Sequence, residues 1–113
     1  MMGGFPNFFM TTGPNGPAAL ANIIRISEND VDWIAALIEH MAARGLRSVE
    51  PRAEAEAGWM DIVTKLARRT LLSKAKTWYL GATVKEKTLG LTTMFTGGFP
   101  TYREHCLAVI QNG

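Results

Sequence analysis

The residue types able to do bond chemistry are few, and their spacing is wrong for it. His40 and His105 each follow a glutamate, and Cys106 adjoins His105, so a metal site or a thiol–imidazole pair is the first chemistry to consider. No CxxC or HExxH spacing supports either, and helix neighbours point about 100° apart, so His105 and Cys106 do not face each other. Both histidines read as solvated or half-buried helix residues. Glu54 and Glu56 fall on different faces of a helix that Glu50 precedes, which is not the carboxylate pair of a glycosidase. The remaining candidate is a backbone feature. Gly13-Pro14-Asn15-Gly16-Pro17 puts two glycines and two prolines into five residues, and helix-forming Ala18-Ala19-Leu20-Ala21 follows. A loop that feeds a helix start aims free N–H groups, carrying about half a unit of positive charge, at something polar and electron-rich. The run has no Gly-Lys-Ser/Thr and no GxGxxG, so phosphate is not the obvious ligand. On pattern alone, a ligand-facing loop and an ordinary connecting turn are both open.

The elements that hold this loop follow from periodicity. Residues 5–12 read as a short apolar strand stopped by Gly13, with Pro6 keeping its start out of any regular ladder. In the helical stretch after the loop, Val31, Ile34, Leu37, Ile38 and Met41 recur at helical spacing, and Gly45 is a natural C-cap. Ser27, Asn29 and Asp30 are capping residues, which leaves open a helix unbroken from about residue 19 or one that restarts near Ser27. Pro51 suits the first turn of a second helix, in which Ala55, Trp59, Ile62, Val63 and Leu66 share a face through about Thr70. Glu50, Glu54 and Glu56 lie early in it and Lys65, Arg68 and Arg69 late, matching the helix dipole. Between residues 71 and 98 the period is lost, with short strands conceivable at 78–80 and 89–95. A last helix follows Phe99, with Tyr102, Cys106, Val109 and Ile110 on one face. Trp33 stands nearly opposite Val31 on the wheel, which implies a second apolar contact surface.

Composition bounds the class. The chain has 113 residues, 47% of them hydrophobic and 19% charged, which suits one small globular unit and leaves no room for a complete dinucleotide-binding enzyme. A net charge of +2 does not suggest nucleic acid, and the Lys65, Arg68, Arg69, Lys74 and Lys76 group reads as a solvated face. With one cysteine, no run of about 20 apolar residues and no signal-peptide pattern, the expected setting is reducing, cytoplasmic and off the membrane.

The segment from Gly4-Phe5-Pro6-Asn7-Phe8-Phe9-Met10 through Thr11-Thr12-Gly13-Pro14-Asn15-Gly16-Pro17 resembles the strand and loop near the end of class B flavoprotein monooxygenases, in particular the Baeyer–Villiger type. Four later pieces are similar to the same enzymes in the same order. They are Val31-Asp32-Trp33-Ile34, the stretch from Val49-Glu50-Pro51 to Ala55-Glu56-Ala57-Gly58-Trp59, Lys76-Thr77-Trp78-Tyr79-Leu80-Gly81-Ala82, and Gly97-Gly98-Phe99-Pro100-Thr101-Tyr102-Arg103. One departure is local: where the family commonly has Asn-Val-Pro-Gly-Lys, this chain has Thr83-Val84-Lys85-Glu86-Lys87.

The resemblance implies a mostly α architecture with one N-terminal strand, the C-terminal piece of a flavin monooxygenase with two Rossmann-like α/β dinucleotide-binding domains. Residues 1–45 would end the FAD-binding domain, and 46–113 would form a helical and irregular C-terminal segment. It implies FAD and NADPH as cofactors, a ketone or other small organic substrate with O2, and an ester or lactone product. The rest of the flavin enzyme is the implied protein partner. Gly13, Pro14, Asn22 and Ile23 would border the flavin, Ala18, Ala19 and Leu20 would line the substrate pocket, and Trp78 would contact the nicotinamide cofactor. No residue here is implied to be catalytic, and no metal is implied. Both glycine-rich nucleotide loops are absent, so the 113 residues are expected to bind FAD poorly and to be inactive alone. A reading of a different class is a non-catalytic helical interaction or assembly module.

Overall fold

The computed structural model describes residues 1–17, 20–74 and 93–112. Among them are three helices, α1 (Ile23–Ala43), α2 (Ala53–Arg68) and α3 (Phe99–Asn112), and a short 3-10 turn at Leu71–Lys74. Helix α1 begins at Ile23 because the Asn22 side chain accepts the N–H groups of Ile24 and Arg25 at 3.0 and 3.4 Å. It does not restart at Ser27, whose hydroxyl donates back to the Ile23 carbonyl at 3.0 Å and leaves the helix intact. The expected stop at Gly45 is present. Gly45 sits at φ +66°, and the Leu46 and Gly45 N–H groups return to the carbonyls of Met41 and Ala42 at 2.9 and 3.1 Å, the paired bonds of a Schellman motif. In α2 the acids Glu54 and Glu56 lie in the first turn, and Lys65 and Arg68 lie in the last.

No strand is present among the described residues, which corrects the strand expected at 5–12. A strand needs a neighbouring ladder, and here the segment is tied down at separate points instead. The Gly3 N–H donates to Glu56 Oε1 at 2.6 Å. Asn7, in the left-handed region at φ +59°, clamps the α1–α2 linker. Its backbone N–H donates to the Val49 carbonyl at 2.9 Å, while its Oδ1 accepts the Val49 N–H at 3.0 Å. Turn bonds from Phe5 to Met2 and from Phe8 to Phe5 replace a ladder.

The core lies where α2, residues 93–95 and α3 meet. Phe95 is fully buried, and its ring stacks on Trp59 with centroids 5.2 Å apart and planes 7° from parallel. Tyr102 and His105 from α3 pack against both rings. Val63, Ala67 and Met94 complete this cluster's buried set, and Ile26, Leu37 and Met41 form the inner face of α1. Helix α1 meets α3 through Trp33, whose indole N–H donates to the Cys106 carbonyl at 2.7 Å and whose ring meets Phe9 edge-on. Trp33 therefore makes the second apolar contact that its place on the wheel implies, and makes it against Phe9 and α3 of this same chain.

Several expected core positions face solvent. Val31 and Ile38 on α1 are 55% and 53% exposed, Val109 on α3 is 50% exposed, and Ala55 on α2 is exposed. The buried line on α1 runs Ile26, Asp30, Leu37 and Met41, rotated away from Val31 and Ile38, so the helix carries more apolar surface than its neighbours cover. Among the described residues no helix is long and apolar enough to cross a membrane. The short strands considered at 78–80 and 89–92 lie outside the described residues, and residues 93–95 form none.

Candidate functional site

The Gly-Pro loop is fixed from both ends. Where the chain approaches it, Thr12 stands at φ +50° and its N–H donates to Asp30 Oδ2 on α1 at 2.9 Å. Where the chain leaves it, the Asn15 N–H donates to the Thr93 carbonyl at 2.7 Å and the Phe95 N–H donates to the Gly16 carbonyl at 2.9 Å. Gly16 and Pro17 are buried by this seam, while Pro14 remains exposed. Steric limits hold the turn compact: a Cβ on Gly13 would lie 2.9 Å from the Met10 Cβ. The Asn15 side chain turns inward, with Nδ2 3.1 Å from Met60 Sδ, and its buried Oδ1 has no hydrogen-bond partner among the described residues.

The start of α1, six residues past the buried Pro17, faces outward. Leu20, Ile23 and Ile24 are 54%, 60% and 71% exposed, so an apolar patch surrounds the helix end. Asn22 caps two N–H groups, and among the described residues the N–H groups of Asn22 and Ile23 have no acceptor. No acid lies in the first turn to offset the positive end of the dipole. The result is an exposed helix start with apolar side chains around the positive end of its dipole.

Of the residues singled out from sequence, Gly13 and Pro14 lie on the loop and Leu20, Asn22 and Ile23 on the helix start. Ala18, Ala19 and Trp78 lie outside the described residues. The expectation for the histidines holds. His40 pairs with Arg44 at the surface, Nδ1 to Nη1 at 2.8 Å, and His105 packs edge-on against Trp59. No group of metal-binding side chains occurs among the described residues. Burial pushes the Cys106 thiol up to about 11, so it is not a thiolate nucleophile near neutrality. Burial, followed by the nearby Cys106 and Asp30, also raises Tyr102 above the usual phenol range and keeps its hydroxyl a donor.

Sequence reasoning took Asp30 for a capping residue, whereas it is a buried residue inside α1. It is 7% exposed, its Oδ1 accepts the Tyr102 hydroxyl at 3.3 Å, and it borders a cavity of about 120 Å³ shared with Phe9, Met10, Trp33 and Cys106. The signal was present in the sequence. Asp30 lies four residues after Ile26 and seven before Leu37, an acid inside an apolar stripe, where a buried charge needs dedicated donors.

Comparison with known proteins adds to this geometry. No family model matches the chain. It is 38% identical over 109 residues, 96% of its length, to a Baeyer–Villiger monooxygenase of Pseudooceanicola batsensis. It is 34% identical over its full length to the acetone monooxygenase (methyl acetate-forming) of Gordonia sp.. Among solved structures, an oxidized steroid monooxygenase bound to NADP superposes with a TM-score of 0.86 at 42% identity, across 97% of this chain. The chain spans about a fifth of these proteins: 19%, 21% and 20% of their lengths. Over nearly its whole length, the chain is thus a relative of a C-terminal part of the class B flavoprotein monooxygenases of the Baeyer–Villiger type.

Proposed function

We propose that this chain serves as the C-terminal fifth of an FAD- and NADPH-dependent Baeyer–Villiger monooxygenase, whose remaining lobes supply the nucleotide-binding loops. The overall reaction consumes a ketone, O2, NADPH and a proton and yields an ester or lactone, NADP+ and water. Bound reduced flavin would supply the O2 chemistry. The observation that carries this reading is the exposed start of α1, where the N–H groups of Asn22 and Ile23 have no acceptor among the described residues and Leu20, Ile23 and Ile24 form an apolar rim.

Each residue then has a positioning task. Gly13 and Pro14 let the backbone approach the flavin edge closely, and Ile23 covers that edge. The N–H groups of Asn22 and Ile23 stabilise negative charge at a ring carbonyl, an effect of about 0.3–2 kcal/mol for a helix end. Ala18, Ala19 and Leu20 keep the substrate pocket wide and apolar. Trp78 offers a flat face to the nicotinamide. Residues 1–45 end the FAD-binding lobe, and residues 46–113 form the helical and irregular C-terminal segment.

The test is a chimera. Residues 1–113 replace the matching fifth of the Gordonia acetone monooxygenase, and NADPH-dependent methyl acetate formation is measured. The expected rate is within about tenfold of the parent, while the 113 residues alone, given FAD and NADPH, show no ketone-dependent NADPH consumption. A folded, flavin-loaded chimera that forms no ester overturns the reading and favours the assembly module.

A further inference from the structure

Asp30 is the one acid that the described structure buries, and it has no cationic partner among the described residues. Its two oxygens are divided between two neutral donors on different parts of the fold. Oδ2 takes the backbone N–H of Thr12 at 2.9 Å, and Oδ1 takes the Tyr102 hydroxyl at 3.3 Å. This division suits holding parts in register better than neutralising charge. Thr12 immediately precedes Gly13 and Pro14, and at φ +50° it occupies a region that β-branched residues rarely adopt. Something outside the loop must hold it there, and among the described residues the Asp30 carboxylate is the group bonded to its N–H. The far side of the loop is already pinned through Asn15 and Gly16 to residues 93 and 95. Asp30 therefore sets the remaining freedom of the turn, and Tyr102 ties that setting to α3.

We infer that Asp30 is a positioning residue: acting through the Thr12 N–H, it fixes where Gly13 and Pro14 stand against the cofactor and so decides how much reducing power reaches the ketone. This rests on the function proposed above. If the turn drifts, water enters the reacting zone, and the two electrons of NADPH reduce O2 to hydrogen peroxide with no oxygen transferred to the ketone.

The test uses the chimera with Asp30→Leu, which keeps the approximate shape without an acceptor, and Asp30→Asn, whose amide oxygen still accepts the Thr12 N–H. Two quantities are read: methyl acetate formed per NADPH consumed, and amide hydrogen exchange in the peptide covering residues 10–17. Asp30→Leu is expected to lower the ester yield per NADPH about fivefold, with hydrogen peroxide making up the difference, and to speed exchange at Thr12 at least tenfold. Asp30→Asn is expected to restore both to within about twofold. If the Leu variant does not fold, Asp30→Ser, too short to reach the Thr12 N–H, takes its place with the same expectations. An active chimera whose ester yield and exchange are unmoved by the Leu or Ser change, or not restored by Asn, overturns this inference alone. A flavin-loaded chimera with no ester formation at all overturns the functional reading and this inference with it.

Discussion

Tyr102 and Cys106 sit one turn apart on the inner side of α3, and their burial links the fold to alkaline pH. An unfolded chain releases the thiol proton near its ordinary 9.0, whereas the folded chain keeps it until about 11. Between those values the folded state holds more protons than the unfolded one, so stability falls as pH rises. Tyr102, also shifted upward, adds to the fall at higher pH. Well below pH 9 neither group contributes a slope, and the slope sets in as pH approaches the unfolded thiol's 9.0. Urea midpoints measured from pH 8 to 11 are expected to drop beyond pH 9 in the natural chain and to drop less in a Cys106→Val, Tyr102→Phe variant. Parallel curves for the two proteins would remove this account. At this scale the sequence was readable where a side chain does one job. Trp59, in phase with Ile62 and Leu66, does pack in the core. Asp30 was read only as a capping residue because its partners, Thr12 and Tyr102, are distant in sequence.

Between elements, the tightest approach is where Gly97 passes the core. A Cβ there would stand 2.6 Å from the Phe95 ring and 2.9 Å from Leu66 Cδ1 on α2. Gly97→Ala is expected to cost about 1–3 kcal/mol by overpacking. Gly58, within α2, has nothing near its missing Cβ, and Gly58→Ala is expected to gain about 0.5–1 kcal/mol in the same unfolding measurement. The Gly45 stop and the acids and bases of α2 were legible because their causes are local, whereas the start of α1, sought at about residue 19 or at Ser27, lies at the Asn22 cap. Residues 5–12 were not legible, because a short apolar run becomes a strand only where a second strand lies alongside, and the described chain supplies none. The loop itself was legible as a bend. Its anchorage to residues 93 and 95 was not, since backbone bonds of that range leave no mark on composition.

Taken whole, the molecule exposes apolar residues that a self-sufficient domain of this size would hide. Phe5, Phe8, Leu20, Ile23, Ile24, Leu46 and Leu71 are all more than 40% exposed, while the fully buried side chains among the described residues are few. Such surface matches a chain that completes its core against other lobes. Ile23→Lys with Ile24→Lys is expected to reduce self-association of the purified chain in size-exclusion chromatography. In the chimera, the same pair is expected to lower flavin retention at least tenfold. Retained flavin in the lysine variant would separate this patch from the cofactor.

The seam that joins Asn15 and Gly16 to Thr93 and Phe95 also sets a timetable. During synthesis the bend leaves the ribosome roughly 80 residues ahead of the backbone that anchors it, an interval of about 4–16 s at ordinary elongation rates. A chaperone able to hold apolar nascent chain would find its substrate in that interval, and slower translation of the later codons would lengthen the exposure.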